Sequence, residues 1–260
     1  MFFRVLLSLV IVGLLAGCGE PQEAELFDIP LWADGNSLEV FDTNLGYEIE
    51  VESVQIWVQQ VEFTIGGESH GDGDDELAWW KNTVDWLLPV AHAHPGHSAG
   101  GEVAGEFVGP ILLEFQAGNL EEIGVGRFLK GEYLGYNVDF AQVDEEGQEI
   151  PGPTIRIRGT ASQEAEELEF VAEFTLTQNA SVIGGALEGA LPGEEATGVA
   201  LQFFPYDAWS ETSIFDDVEF STVSTDDDGV AQVLPGSMAN AEIRSRILGH
   251  EFYGGRLIHP

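Results

Sequence analysis

The chain has 260 residues, with 46 acidic against 9 basic side chains and a formal net charge of −37. So few lysines and arginines assemble no basic face, which excludes nucleic acid and anionic lipid headgroups as partners recognised by charge. Hydrophobic residues at 44% and aromatic residues at 10% exclude a solvated acidic tail, and a chain of this length folds on a hydrophobic core alone.

Residues 1–17 read as an export signal. Arg4 supplies the positive start and Val5 to Leu15 a short apolar run, too short to span a bilayer as a permanent helix. Leu15-Ala16-Gly17-Cys18 matches the lipobox read by bacterial lipoprotein signal peptidase, and Cys18 is the only cysteine in the chain. The match implies cleavage before Cys18 and lipid on its sulfur, with the membrane as a partner through that anchor. More than one acyl chain is then expected, since a single one anchors only marginally. By resemblance to Gram-negative lipoproteins, Gly19 in place of Asp implies the outer membrane, with the protein facing the periplasm or the cell exterior. Residues 18–25 are the acylated cysteine and a polar tether, and 26–260 are expected to form a single domain. No second cysteine exists to form a disulfide.

Period-two alternation, the mark of half-buried strands, recurs through that domain. In chain order it marks Leu38 to Phe41, Tyr47 to Val51, and the run "VQIWVQQVEFTI" from Val54 to Ile65. In that run Val54, Ile56 and Val58 share one parity, and Val61, Phe63 and Ile65 share the other. No turn residue separates them, so a β-bulge in one long strand is expected.

Residues 66–110 break the rhythm and read as a long connection. They hold "HGDGDDE", Trp79, Trp80 and Trp86, the stretch "HAHPGH", and "GGEVAGEFVGP". Connections of this length are usually functional or disordered, and the aromatic content favours a packed excursion.

Alternation resumes at Ile111 to Phe115, Tyr136 to Phe140, Ile155 to Ile157, Leu168 to Leu176, Val199 to Phe203 and Val230 to Leu234. About ten strands with Gly- and Pro-marked turns predict an all-β fold, an antiparallel β-sandwich. One short C-terminal helix is expected at Met238 to His250, where Ile243, Ile247 and Leu248 share a face. "STDDDGVAQV" lacks the alternating ligand spacing of a calcium loop and reads as a turn between strands.

The histidines carry the one recognisable chemistry. His92 and His94 are two apart, so both point the same way in an extended segment, and Pro95-Gly96 can turn His97 back toward them. Imidazole suits copper and zinc, so the three form a candidate site for one such ion, with Glu102 or Glu106 as a further oxygen ligand. His250 is a fourth candidate, with capping of the helix C-terminus as its other role. The alternative for the cluster is a hydrophilic loop with solvated imidazoles, on an envelope interaction protein that holds no metal. No nucleophile elbow, zincin motif or phosphate loop occurs, and no enzyme activity is expected.

Three segments resemble MbnP-like periplasmic copper-binding proteins: "VQIWVQQVEFTIGG", Phe174 to Thr177, and "SIFDDVEFSTVSTDDDGVAQVLPGSMANAEIRSRILGHEF". The resemblance implies an all-β sandwich that binds copper in the periplasm. Without a cysteine in the mature domain, it implies histidine ligation through His92, His94, His97 and His250.

Overall fold

The computed structural model describes residues 25–65, 101–142, 147, 149–176, 179–191 and 197–259. Their strands, in chain order, are β1 (Leu26–Asp34), β2 (Phe41–Asp42), β3 (Glu48–Ile65), β4 (Glu102–Gln116), β5 (Leu120–Leu129), β6 (Gly131–Phe140) and β7 (Ile155–Gln163). There follow β8 (Glu166–Phe174), β9 (Ser181–Leu191), β10 (Gly198–Phe203), β11 (Tyr206–Asp207), β12 (Thr212–Ser213), β13 (Ala231–Val233), the helix α1 (Met238–Ile247) and β14 (Tyr253–Ile258).

The all-β class is observed. Stepping through paired neighbours from β3 to β4, β5, β1, β10, β14, β9 and β6 leads back to β3, so eight strands close a ring. Two joins in that ring are thin. β4 meets β5 only at Gly105 and Glu106, and β14 meets β9 only at Gly254. These joins divide the ring into two facing sheets, which gives it a sandwich-like build. Most pairs are antiparallel, but β1–β10, β8–β13 and β9–β14 run parallel. Their members are far apart in the chain, so no hairpin dictates their direction.

The long strand β3 organises the arrangement. One edge carries β2 beside Glu48 and Ile49, then β4 from Ser53 to Ile65. The other carries β7 beside Glu48 to Ile56, then β6 beside Val58 to Thr64. The register shifts between Val58 and Gln60 toward both β4 and β6, so the expected bulge is present where β3 changes partner. It reverses parity so that Val54, Ile56, Val58, Val61 and Phe63 all stay buried across the change. Beyond β7, strands β8 and β13 extend the sheet as a flange.

Several boundaries differ from the sequence reading. Residues 102–110, read as the end of the long connection, are the first part of β4. Their glycines suggested a loop, but they answer close packing. A Cβ on Gly105 would stand 2.5 Å from the Phe128 ring, and one on Gly109 would stand 2.4 Å from the Val58 carbonyl oxygen. Of the Leu38 to Phe41 stretch only Phe41 pairs as strand, together with Asp42 beyond it. The Asp34 carboxylate accepts the Asn36 N–H and sets a 3-10 turn over Gly35–Ser37, which ends the extended path.

Ser237 caps α1 by accepting the Asn240 N–H, and Asn240 in turn donates to the Glu173 carbonyl of β8. The helix stops at Ile247, short of His250, because the Arg246 carbonyl takes the Gly249 N–H and the Ile247 carbonyl takes the Tyr253 hydroxyl. His250 begins a separate 3-10 turn, His250–Phe252.

The ring has two ends. At the proximal end Leu26 pairs with Leu129 and Ile65 with Glu102. At the distal end Asp34 pairs with Leu120 and Gln202, and Phe203 with Tyr253. The nine residues of β1 separate these ends by about 30 Å at roughly 3.3 Å per residue.

Candidate binding groove

Cys18, His92, His94 and His97 lie outside the described residues, as do the connection's three tryptophans. Ile65 and Glu102, where that connection leaves and rejoins the fold, are at the proximal end. His250 is at the distal end, with its side chain 49% exposed and its Nδ1 3.7 Å from Glu251 Oε2. Of the carboxylates considered as further ligands, Glu102 is exposed and Glu106 pairs with Arg127. Among the described residues, no group of three or more His, Cys, Asp or Glu side chains is arranged to hold a metal ion.

The space between the two facing sheets is filled by side chains. A gap bordered by Ile56, Leu113, Phe115, Tyr136, Leu201 and Tyr253 measures about 10 Å³, room for one water at most. The buried phenols there are satisfied: Tyr136 donates to the Gly254 carbonyl, Tyr253 to Ile247, and Tyr133 to Ala104 and Leu129. Burial pushes all three well above the ordinary tyrosine range, so they stay neutral and structural.

The concave surface lies at the distal end. A groove of about 590 Å³ runs between Ser37 to Asp42 on one side and Phe204 to Trp209 on the other, with Glu251 at its border. Its volume is in the range of ligand sites. Trp209 stands on the β11–β12 hairpin, 95% exposed, and Val40 across the groove is 54% exposed.

The hairpin that carries Trp209 is held from within. Asp207 accepts the backbone N–H of Trp209 at 3.0 Å, that of Ser210 at 3.2 Å, and the Ser210 hydroxyl at 2.5 Å. Burial raises the Asp207 carboxyl, but these bonds outweigh it and leave the group below its ordinary range, hence ionised. The Ile214 N–H closes the hairpin base on the Pro205 carbonyl.

Its return strand is fixed by Asp216. This buried carboxylate accepts the Ser213 N–H, the Ser213 hydroxyl and the Asn44 N–H. The floor is aromatic: Tyr206 stacks on Phe41 at 5.5 Å, Phe41 on Phe215 at 6.3 Å, and Phe215 meets Phe170 edge-on in the core. A rigid platform therefore presents the indole.

A second network ties the groove to the ring. Asp34, 1% exposed, accepts from Asn36, from Gln202 at 3.0 Å and from Arg256 at 2.7 Å. Burial raises its carboxyl, and the hydrogen bonds from Arg256 and Asn36 together more than reverse this. Ser37 then donates from the groove wall to the Phe203 carbonyl at 2.8 Å.

The alternation signal does not reach this site, because β11 and β12 are two residues each. The signal available was local: Asp207 two and three residues before Trp209 and Ser210 is a side-chain-capped turn, and it holds a tryptophan among polar neighbours. Compared with known protein families, curated proteins and solved structures, the chain gives no match.

Proposed function

We propose that the chain is a non-catalytic binding protein of the bacterial envelope, held to the outer membrane by lipid on Cys18 and recognising its partner through the Trp209 groove. One observation carries the reading: the Trp209 indole is 95% exposed on a hairpin that Asp207 fixes from inside. Tryptophan is enriched among the residues that anchor interfaces, and a preordered loop loses little entropy on binding. The tether joins the fold at Leu26, the end opposite the groove, so a lipid-anchored molecule presents the groove away from the bilayer.

The test places a photo-crosslinking side chain at position 208, an exposed groove site beside the intact Trp209, or at position 132, an exposed site on β6 at the proximal end, in cells expressing the full chain. Discrete adducts from 208 and none from 132 are expected. Absence of adducts from 208 overturns the recognition role. Labelling by a palmitate analogue that persists in Cys18→Ser removes the anchor.

A second reading, binding of copper or zinc, is favoured by the spacing of His92, His94 and His97. Calorimetric titration of the full chain with Cu²⁺ and Zn²⁺ tests it, with loss of binding expected when all three are replaced by Ala. Unchanged affinity ends that reading, and His250→Ala shows whether the fourth histidine joins them.

A further inference from the structure

We infer that the Trp209 groove takes an arginine-bearing basic segment of a partner protein. The inference rests on the binding reading above and specifies its ligand. Twelve residues line the groove; Glu39, Asp42, Asp207 and Glu251 carry carboxylates, and none carries a positive charge. The walls also offer an exposed indole, Val40, and the stacked pair Tyr206 and Phe41.

A matching ligand needs a flat, weakly hydrated face and positive charge in the same group. Guanidinium has both: it stacks on an aromatic face while its forked N–H groups meet carboxylate oxygens. Asp207 already holds the hairpin and Glu251 lies beside His250, which leaves Glu39 and Asp42 for the ligand.

Three other occupants fit less well. A metal ion needs ligands that converge on one point, and among the described residues no such group exists. A neutral sugar would stack on Trp209 but bring no charge to carboxylates it partly desolvates. A small ammonium ligand is usually enclosed by its aromatic walls, whereas Trp209 at 95% exposure is covered only by a body larger than the groove. That body is the surface of a partner carrying the basic segment.

The test uses the full-length chain in neutral detergent at physiological ionic strength, where distant charges are screened beyond about 8 Å. The probes are a capped Gly-Arg-Gly-Arg-Gly peptide and neutral maltohexaose, followed by calorimetry. The peptide is expected to bind, and Trp209→Ala, which leaves the charge unchanged, to weaken it about tenfold. Glu39→Gln with Asp42→Asn should weaken it to a similar degree. Glu102→Gln with Glu132→Gln, the same charge change at the proximal end, should shift affinity less than about twofold.

Failure of the peptide to bind overturns the inference, as does maltohexaose binding in its place. Unchanged affinity in Trp209→Ala, or equal weakening by the two double variants, also overturns it, since either means attraction to the overall charge. Crosslinks from position 208 without peptide binding keep the recognition role and remove only this ligand.

Discussion

The two ends of the ring are built by different means. At the proximal end the fold relies on strand pairing and close aromatic contact: Phe63 lies 4.7 Å from Phe128, and Phe128 meets Tyr133 edge-on at 5.6 Å. Gly105 and Gly126 make room for the same Phe128 ring. At the distal end the chain leaves the strands for turns, and buried or part-buried polar side chains take over. Asp34, Asp207 and Asp216 each collect several donors, Tyr47 donates to Glu219, and Arg246 reaches the Asp216 carbonyl and the Asp217 carboxylate. Irregular backbone needs partners for its N–H and C=O groups, and these carboxylates and the guanidinium supply them. The difference teaches where this molecule keeps a precise surface: turns are immobilised at the end where an exposed tryptophan stands.

That contrast can be broken residue by residue. The largest effect is expected from Asp216→Ala, which strands the Ser213 N–H, the Ser213 hydroxyl and the Asn44 N–H in a site 7% exposed. A loss of about 3 kcal/mol in urea unfolding is expected, since each orphaned buried group costs roughly 1–3 kcal/mol. Gly105→Ala attacks the proximal end by a different route, driving a Cβ into the Phe128 ring, and should cost about 2 kcal/mol through overpacking. No polar partner changes there, so that loss should be insensitive to pH.

Asp34→Asn should cost about 1–2 kcal/mol at pH 7 by removing a charge-assisted bond to Arg256, itself half-exposed. The folded-state carboxyl lies below its ordinary 3.8. Its stabilisation is therefore present above about pH 4 and lost as the pH falls through the folded value, and the gap between wild type and Asp34→Asn should close on acidification. A constant gap down to pH 2 would remove the ionic part of this assignment.

Glu106→Gln, at the solvent-exposed pair with Arg127, should move stability by less than about 0.5 kcal/mol. Smallest of all is Trp209→Ala: with 95% of the residue in water, unfolding should shift within about 0.5 kcal/mol while binding falls. A large loss of stability would mean that the indole serves the fold.

Much of the strand framework was legible in the sequence because alternation survives wherever one face of a strand is buried. The bulge at Gln59 was legible for the same reason, since a parity change without a turn requires an extra residue in the strand. What escaped was what alternation does not encode. Pro30 stands within β1 and reads as a strand breaker, and the glycines of β4 read as punctuation although Phe128 and Val58 require them. The closure of the ring depends on β3–β6 and β1–β10, pairings between distant segments that no local pattern announces. The groove escaped because its hairpin has two-residue strands, too short for any period. The histidine cluster was the loudest chemical signal in the chain, and its three imidazoles lie outside the described residues.

The proposed opposition of tether and groove is most directly measured in liposomes on protein that carries the proposed lipid on Cys18. Cys18 is the only native cysteine, so with its sulfur acylated a donor dye on Glu132→Cys or Trp209→Cys labels one site at a time, and energy transfer to a headgroup acceptor reads height above the bilayer. Efficient transfer from 132 and much weaker transfer from 209 are expected, consistent with about 30 Å of β1 between the ends. Equal transfer from both sites, or stronger transfer from 209, would contradict that opposition.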